Sequence, residues 1–184
     1  MFPLGDVLVP GMHLPLHVFE PRYRELVRVC LDGEQEFGVV LIERGSEVGG
    51  GDARFGTGCI ARIIDATPAD DGRWLLATAG VRRIRVLRWL PDDPYPRAEV
   101  EDWPDPPPGP DAAVLREDAE AALRRLLALL TEAGMAAPPA TVDLPSDPAR
   151  AAFAMTALAP LGPLDRLHLL EAAAAPVAKR LTEG

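Results

Sequence analysis

The sequence predicts an α+β fold, with a strand-rich first part and a helical second part. Three observations predict it. The run Pro104-Asp105-Pro106-Pro107-Pro108-Gly109-Pro110 cannot supply ladder donors and favours extended polyproline geometry. Before it, short apolar stretches alternate with turn signals; after it, apolar residues recur at spacings of three and four. The expected division is therefore 1–103 for the strands, 104–110 for a linker and 111–184 for the helices. Short strands at regular spacing build a small barrel or sandwich. Three helices with short connections build an antiparallel bundle or a cap.

Leu14 to Phe19 reads as a short extended segment. Glu20-Pro21 then opens a helix, because Pro21 suits the first helical position. Tyr23, Leu26, Val27 and Cys30 make its apolar face, and Asp32-Gly33 ends it. Phe37 to Ile42 is an apolar run of strand length, followed by a flexible turn over Gly45–Asp52. Cys59, Ala61 and Ile63 alternate as in a strand. Ala69-Asp70-Asp71-Gly72 is a turn. Trp74–Thr78 and Ile84–Trp89 read as two further strands hinged near Gly80. Pro91–Pro96 is a loop, and Arg97–Trp103 alternates again. Beyond the linker, Asp111 can cap a helix to about Ala133, with Gly134 at its C-terminal end. Its apolar stripe is Leu115, Ala119, Ala122, Leu123, Leu126, Leu127 and Leu130, with Glu117, Glu120, Arg124 and Arg125 mostly opposite. Asp147-Pro148 starts a shorter helix to about Leu158. Leu164–Leu181 reads as a third, kinked at Pro176.

Composition narrows the function classes. The chain has 184 residues, too few for an ATPase module together with a catalytic domain, and 48% of them are hydrophobic, as in a globular protein. Its net charge of −9 disfavours generic nucleic-acid binding. Its 19 basic residues are 18 Arg and Lys179, and its only serines are Ser46 and Ser146. The opening MFPLGDVLVPG lacks a basic n-region, and Asp6 interrupts it, so no signal peptide is expected. No apolar run reaches about 18 residues, so no membrane helix is expected. Cys30 and Cys59 are expected as reduced, buried thiols, and the protein as cytoplasmic.

Little in the chain suits catalysis. The stretch Gly51–Gly58 has two glycines at P-loop spacing but no Lys-Ser/Thr, and reads as a strand-to-strand turn. His13 and His17 flank Pro15. In an extended chain their Cα atoms lie about 13 Å apart, too far for one zinc. Neither serine sits in a G-x-S-x-G elbow. Cys30 faces a predicted core, and Arg24 and Arg28 alone do not make it an acidic thiol. No catalytic residue, metal site or cofactor is therefore expected. The basic cluster Arg82, Arg83, Arg85 and Arg88, beside Trp89, could hold RNA or an acidic peptide. Its ordinary reading is a charged strand face paired with Glu99 and Glu101, because residues up to Trp103 include 12 basic and 17 acidic side chains.

Several motifs resemble the N-terminal substrate-binding domain of the Lon protease family. They are Phe2-Pro3-Leu4, Pro10-Gly11-Met12, Leu14-Pro15-Leu16-His17 and Phe19-Glu20-Pro21-Arg22-Tyr23. The likeness continues through Phe37-Gly38-Val39-Val40, Gly56–Ala61, Gly80-Val81-Arg82-Arg83 and Ala98-Glu99-Val100-Glu101, and more weakly through the helical part. The resemblance implies a PUA-like mixed β pseudo-barrel followed by a three-helix bundle. It implies a standalone, non-catalytic form without the family's ATPase and peptidase parts. Its expected partners are unfolded or degron-bearing polypeptides and a protease or other protein, with no membrane, and the chain is expected as a monomer or weak dimer. PUA-like folds often bind RNA, which keeps the Arg82–Arg88 cluster as the alternative site.

Glu20, Arg22 and Tyr23 are the most specific residues of the motif. Structurally, Glu20 would cap the helix, Arg22 would pair with an acid, and Tyr23 would pack the helix on the barrel. Functionally, Met12, Leu14 and Leu16 with the neighbouring helix edge would border an apolar groove for extended peptides. His17 could be a polar contact or a satisfied core residue, and the core reading is the expected one.

Overall fold

In the computed structural model, which describes residues 1–49 and 51–172, the chain divides between Pro104 and Asp105 into two compact units. The first holds β1 (Phe2–Leu4), β2 (His13–Val18), α1 (Pro21–Leu31), β3 (Glu36–Arg44), β4 (Ala53–Pro68), β5 (Trp74–Leu90) and β6 (Arg97–Asp102). The second holds α2 (Ala112–Glu132), α3 (Pro148–Leu158) and α4 (Pro163–Glu171).

The six strands form one mixed sheet in the order β1-β3-β4-β5-β2, with β6 also on β5. β1 runs parallel to β3, and the other pairs are antiparallel. β1 is too short for alternation to reveal it, and Pro3 hides it further.

β5 organises the sheet. Turn signals near Gly80 suggest two strands, but Trp74–Leu90 is a single strand of 17 residues. Ile60 pairs with Arg82 and Ala61 with Gly80, so Val81 is an extra residue and the strand bulges without ending. Ile64 of β4 and Leu87 of β5 are extra residues of the same kind, and both side chains are exposed. Bulges bend a strand and raise its twist. The first half of β5 therefore pairs with β2 and the second half with β6. Gly80 also carries a backbone crossing. Gly11 N donates to Gly80 O at 2.8 Å, and Gly80 N donates to Met12 O at 2.9 Å. A Cβ at Gly80 would lie 2.2 Å from Val9 O, so only glycine admits this approach. By contrast, Gly56, Thr57 and Gly58 of the apparent P-loop spacing lie inside β4.

α1 starts at Pro21 and buries Tyr23, Leu26, Val27 and Cys30, as its spacing requires. These pack with Phe2, Val18, Phe37, Val39, Cys59, Ile63 and Leu76 into one core. The Tyr23 ring stacks on Phe2 at 4.2 Å, and Phe37 lies 5.8 Å from Phe2. Cys30 and Cys59 are free, buried thiols. Burial pushes Cys30 upward and Cys59 up to about 12. At the start of β3, Glu36 accepts from Arg62 of β4 at 2.7 Å and from Arg82 of β5 at 2.6 Å. Arg82 reaches Asp102 of β6 at 2.9 Å, so one charge network ties four strands.

In the second unit α3 packs on α2 through Ala119, Leu123, Leu127, Ala151 and Met155. Asp147 caps α3 by accepting from Arg150 N at 2.9 Å. The connection between α2 and α3, residues 133–147, is longer than the bundle reading expects. Polar side chains of α2 hold it: Arg124 donates to Ala140 O and Val142 O, and Arg116 to Pro145 O. Arg124 therefore serves the fold instead of facing solvent. The predicted third helix is described only to Glu171, where Ala172 turns extended. The continuation to Leu181 and the kink at Pro176 lie outside the described residues.

Two outcomes test these contacts. Gly80→Ala should lower stability by about 1–3 kcal/mol, read from the urea midpoint, whereas Gly56→Ala, whose Cβ meets nothing within 4 Å, should stay within about 0.5 kcal/mol. Burial alone would raise the Glu36 carboxyl, but hydrogen bonds from Arg82 and Arg62 overcome it and hold the group below its ordinary value of 4.5. Its stabilisation is thus complete above that value and fades as pH falls through the depressed folded one. Glu36→Gln should cost about 1 kcal/mol at neutral pH, the modest figure following from the partial exposure of both arginines. The gap between the two proteins should close in acid.

Candidate functional site

β1 and β2 stand at opposite ends of the strand order, yet both line one pocket of about 170 Å³. The sheet therefore curls until its two ends face each other across a seam. Phe2, Leu4, Leu16, Val18 and Tyr23 form an apolar floor, and Phe19, Glu20, Glu47 and Val48 stand at the mouth. Phe19 is 49% exposed and Val48 55%. β2 explains half of this wall. Its alternation turns Leu14, Leu16 and Val18 toward the core and leaves His13, Pro15 and His17 exposed. His17 is thus an exposed residue that lines the pocket, 6.1 Å from the Phe19 ring, and not a core one.

α1 supplies the polar mouth. Glu20 is its N-cap residue by backbone, and its carbonyl accepts from Arg24 N at 2.9 Å. Its carboxylate makes no cap bond but accepts from Arg22 Nε at 3.1 Å. Arg22 also donates to Glu47 O at 3.3 Å and lies 4.5 Å over the Tyr23 ring. One guanidinium thus joins the helix start, the aromatic floor and the loop before β4. Burial, ahead of the opposing charges of Arg22 and Glu20, pushes the Tyr23 phenol up to about 12, so it stays neutral in the site. Glu47 Oε1 accepts from Gly5 N at 2.5 Å, and Ser46 Oγ accepts from Val48 N at 3.2 Å, which seats Val48 over the pocket. The loop ends at Asp52, whose carboxylate takes Arg54 Nε at 2.5 Å. Burial would raise the Asp52 carboxyl, but that hydrogen bond holds it below the usual range.

Of the residues singled out in the motif, Leu16, Glu20 and Tyr23 line the pocket, and Arg22 ties Glu20 to the loop at its mouth. Met12 and Leu14 pack on the core of the unit and do not reach the pocket. Phe2, Leu4, Phe19, Glu47 and Val48 join the site without having been marked. Val48 had one legible signal, an apolar residue inside a loop of glycines and acids.

The four arginines near Trp89 do not form one basic surface. Arg82 is taken by Glu36 and Asp102, and Arg88 pairs with Glu99. Arg83 is buried, with its guanidinium 4.7 Å from the Trp103 ring, and Arg85 stacks on that ring at 3.6 Å. Among the described residues no group of three or more His, Cys, Asp or Glu could hold a metal ion. No described helix is long and apolar enough to cross a membrane.

A curled mixed sheet with one helix plugging its core, followed by a helical unit, defines an α+β protein of PUA-like architecture. The chain belongs to the ATP-dependent protease La (LON) substrate-binding domain family, whose model matches residues 1–183. The Lon N-terminal domain protein of Xanthomonas campestris is similar at 30% identity, with a TM-score of 0.72 over 99% of this chain and 95% of that one. The N-terminal domain of a Mycobacterium avium complex Lon protease shares the fold, at 18% identity and a TM-score of 0.72 over 98% and 94%. Among curated proteins, the Lon protease of Anaeromyxobacter dehalogenans is 31% identical over 98 residues, 53% of this chain and 12% of that protein. A LON peptidase N-terminal domain and RING finger protein of Schizosaccharomyces pombe is 29% identical over 112 residues, 53% of this chain and 23% of its own length. The match thus spans well under two thirds of these curated relatives.

If Arg22 holds the loop in place, Arg22→Met should release it. Amides of residues 46–49 should exchange about five to ten times faster, while amides inside α1 keep their rates in the same hydrogen-exchange experiment.

Proposed function

We propose that this chain binds extended, apolar stretches of polypeptide and performs no chemistry on them. The observation that carries this reading is the seam pocket beside the edge of β2. An edge strand offers backbone donors and acceptors to an added strand, and charged side chains normally guard it. β6 is guarded by Glu99, Glu101 and Asp102, whereas β2 carries no Asp, Glu, Lys or Arg. Pro15 removes one donor, which keeps the β2 edge from pairing without limit. An extended segment lying along β2 would place one apolar side chain over Phe2, Leu16 and Tyr23, against the exposed ring of Phe19. Met12 and Leu14 then act by shaping β2, and Glu20 and Arg22 by holding the mouth.

Unfolded or degron-bearing polypeptides are the partner class that presents such segments. A substrate-recognition or adaptor role beside a protease fits the family. The candidate nucleophiles of the first unit support a non-catalytic role: Ser46 serves a turn, and both thiols are buried with raised pKa values. The site lies within one unit of one chain, so a monomer suffices. A reducing cytoplasm suits the two free thiols.

Titrating the protein with a labelled, permanently unfolded polypeptide tests the proposal. Saturable binding in the micromolar range is expected. Phe19→Asp should weaken it about tenfold or more, because the exposed ring would be replaced by a charge. Leu87→Asp, on an exposed bulge away from the pocket, should not. No binding by folded protein at tens of micromolar, or equal binding by the Phe19 variant, would overturn it.

A further inference from the structure

The mouth of the seam pocket is unequal in charge, and we infer that it selects apolar segments flanked by basic residues. This inference rests on the polypeptide-binding reading above and adds the chemical class of the segment. The charged lining of the pocket is two carboxylates, Glu20 and Glu47, with no Lys or Arg; the one basic side chain there is the His17 imidazole, exposed on β2. The adjoining Arg22 is committed. Its Nε is on Glu20, its Nη2 is on Glu47 O, and its guanidinium covers the Tyr23 ring. It is mostly shielded, with 15% of its side chain accessible. Arg22 thus neutralises one of the two carboxylates and presents little charge to a ligand. The Glu47 carboxylate is exposed and anchored through Oε1 on Gly5 N, which fixes its negative charge at the rim.

The surroundings act in the same direction. Residues 1–103 carry 17 acidic and 12 basic side chains, an excess of five negative charges. A ligand with acidic flanks meets repulsion both at the rim and from the unit as a whole, whereas Lys or Arg beside the apolar anchor reaches Glu47. Because the rim is exposed, the attraction is modest and screened by salt, so it sorts ligands more than it holds them.

Three labelled peptides of equal length test this, each with one Phe in a neutral extended context and flanked by Lys, by Ser or by Glu. Anisotropy titrations would use the full chain at about 50 mM and 300 mM salt. The Lys-flanked peptide should bind about three to ten times more tightly than the Ser-flanked one, and the Glu-flanked one more weakly still. The spread should shrink at high salt. Glu47→Gln, which keeps an acceptor for Gly5 N, should reduce the Lys-to-Glu ratio by at least half, with an unchanged urea midpoint showing that the fold persists. Equal binding of all three peptides would overturn the charge inference and leave the binding reading standing. A ratio that survives in both Glu47→Gln and Glu20→Gln would also overturn it, by moving the selectivity away from the mouth. Binding of none of the three would remove both readings.

Discussion

The carbonyl oxygen of Val9 lies 2.2 Å from the place where any residue other than glycine at position 80 would carry its Cβ. Because the space is empty, the chain can cross there, exchanging hydrogen bonds through Gly11 and Met12 and delivering β2 onto the first half of β5. The extra residue Val81 bends β5 at the same place, so its second half serves β6 instead. The curl that brings the two ends of the sheet together depends on this one crowded crossing. Without it β2 would have no place beside β5, and the pocket would lose the wall that Leu16 and Val18 provide.

Tyr23 links that curl to the site. It stacks on Phe2 of β1, sits in the core with Val18 of β2, and lies under the guanidinium of Arg22. An aromatic pair of this kind contributes about 0.5–1.5 kcal/mol beyond burial. It also closes the floor of the seam with a flat apolar surface. Core and pocket therefore share residues, and the motif around Phe19-Glu20-Pro21-Arg22-Tyr23 contributes to both. Glu20 and Arg22 neutralise each other within the fold, while Phe19 of the same motif faces outward.

α1 was legible because Pro21 and the spacing of Tyr23, Leu26, Val27 and Cys30 are local signals that a helix must satisfy. Gly80 was misleading: a glycine between two apolar runs reads as a hinge, and only the partner strand reveals a bulge. Arg124 was misleading too, since its place opposite the apolar stripe is compatible with solvent or with a returning segment. The basic cluster read as a charged strand face, and its acids proved to include Glu36, 46 residues from Arg82 in the chain.

Taken alone, the amino-acid sequence determined the α+β class, the helix behind Pro21, the absence of an assembled P-loop or serine elbow, and the resemblance to the Lon substrate-binding family. These follow from composition, periodicity and contiguous motifs, which are properties of neighbours along the chain. Tertiary structure alone decided where a ligand could sit. Phe2, Leu16, Tyr23 and Val48 meet at one pocket only after the sheet bends at Val81, Ile64 and Leu87. No local pattern encodes a meeting of segments that far apart, because it is set by strand register and by the one carbonyl that Gly80 admits.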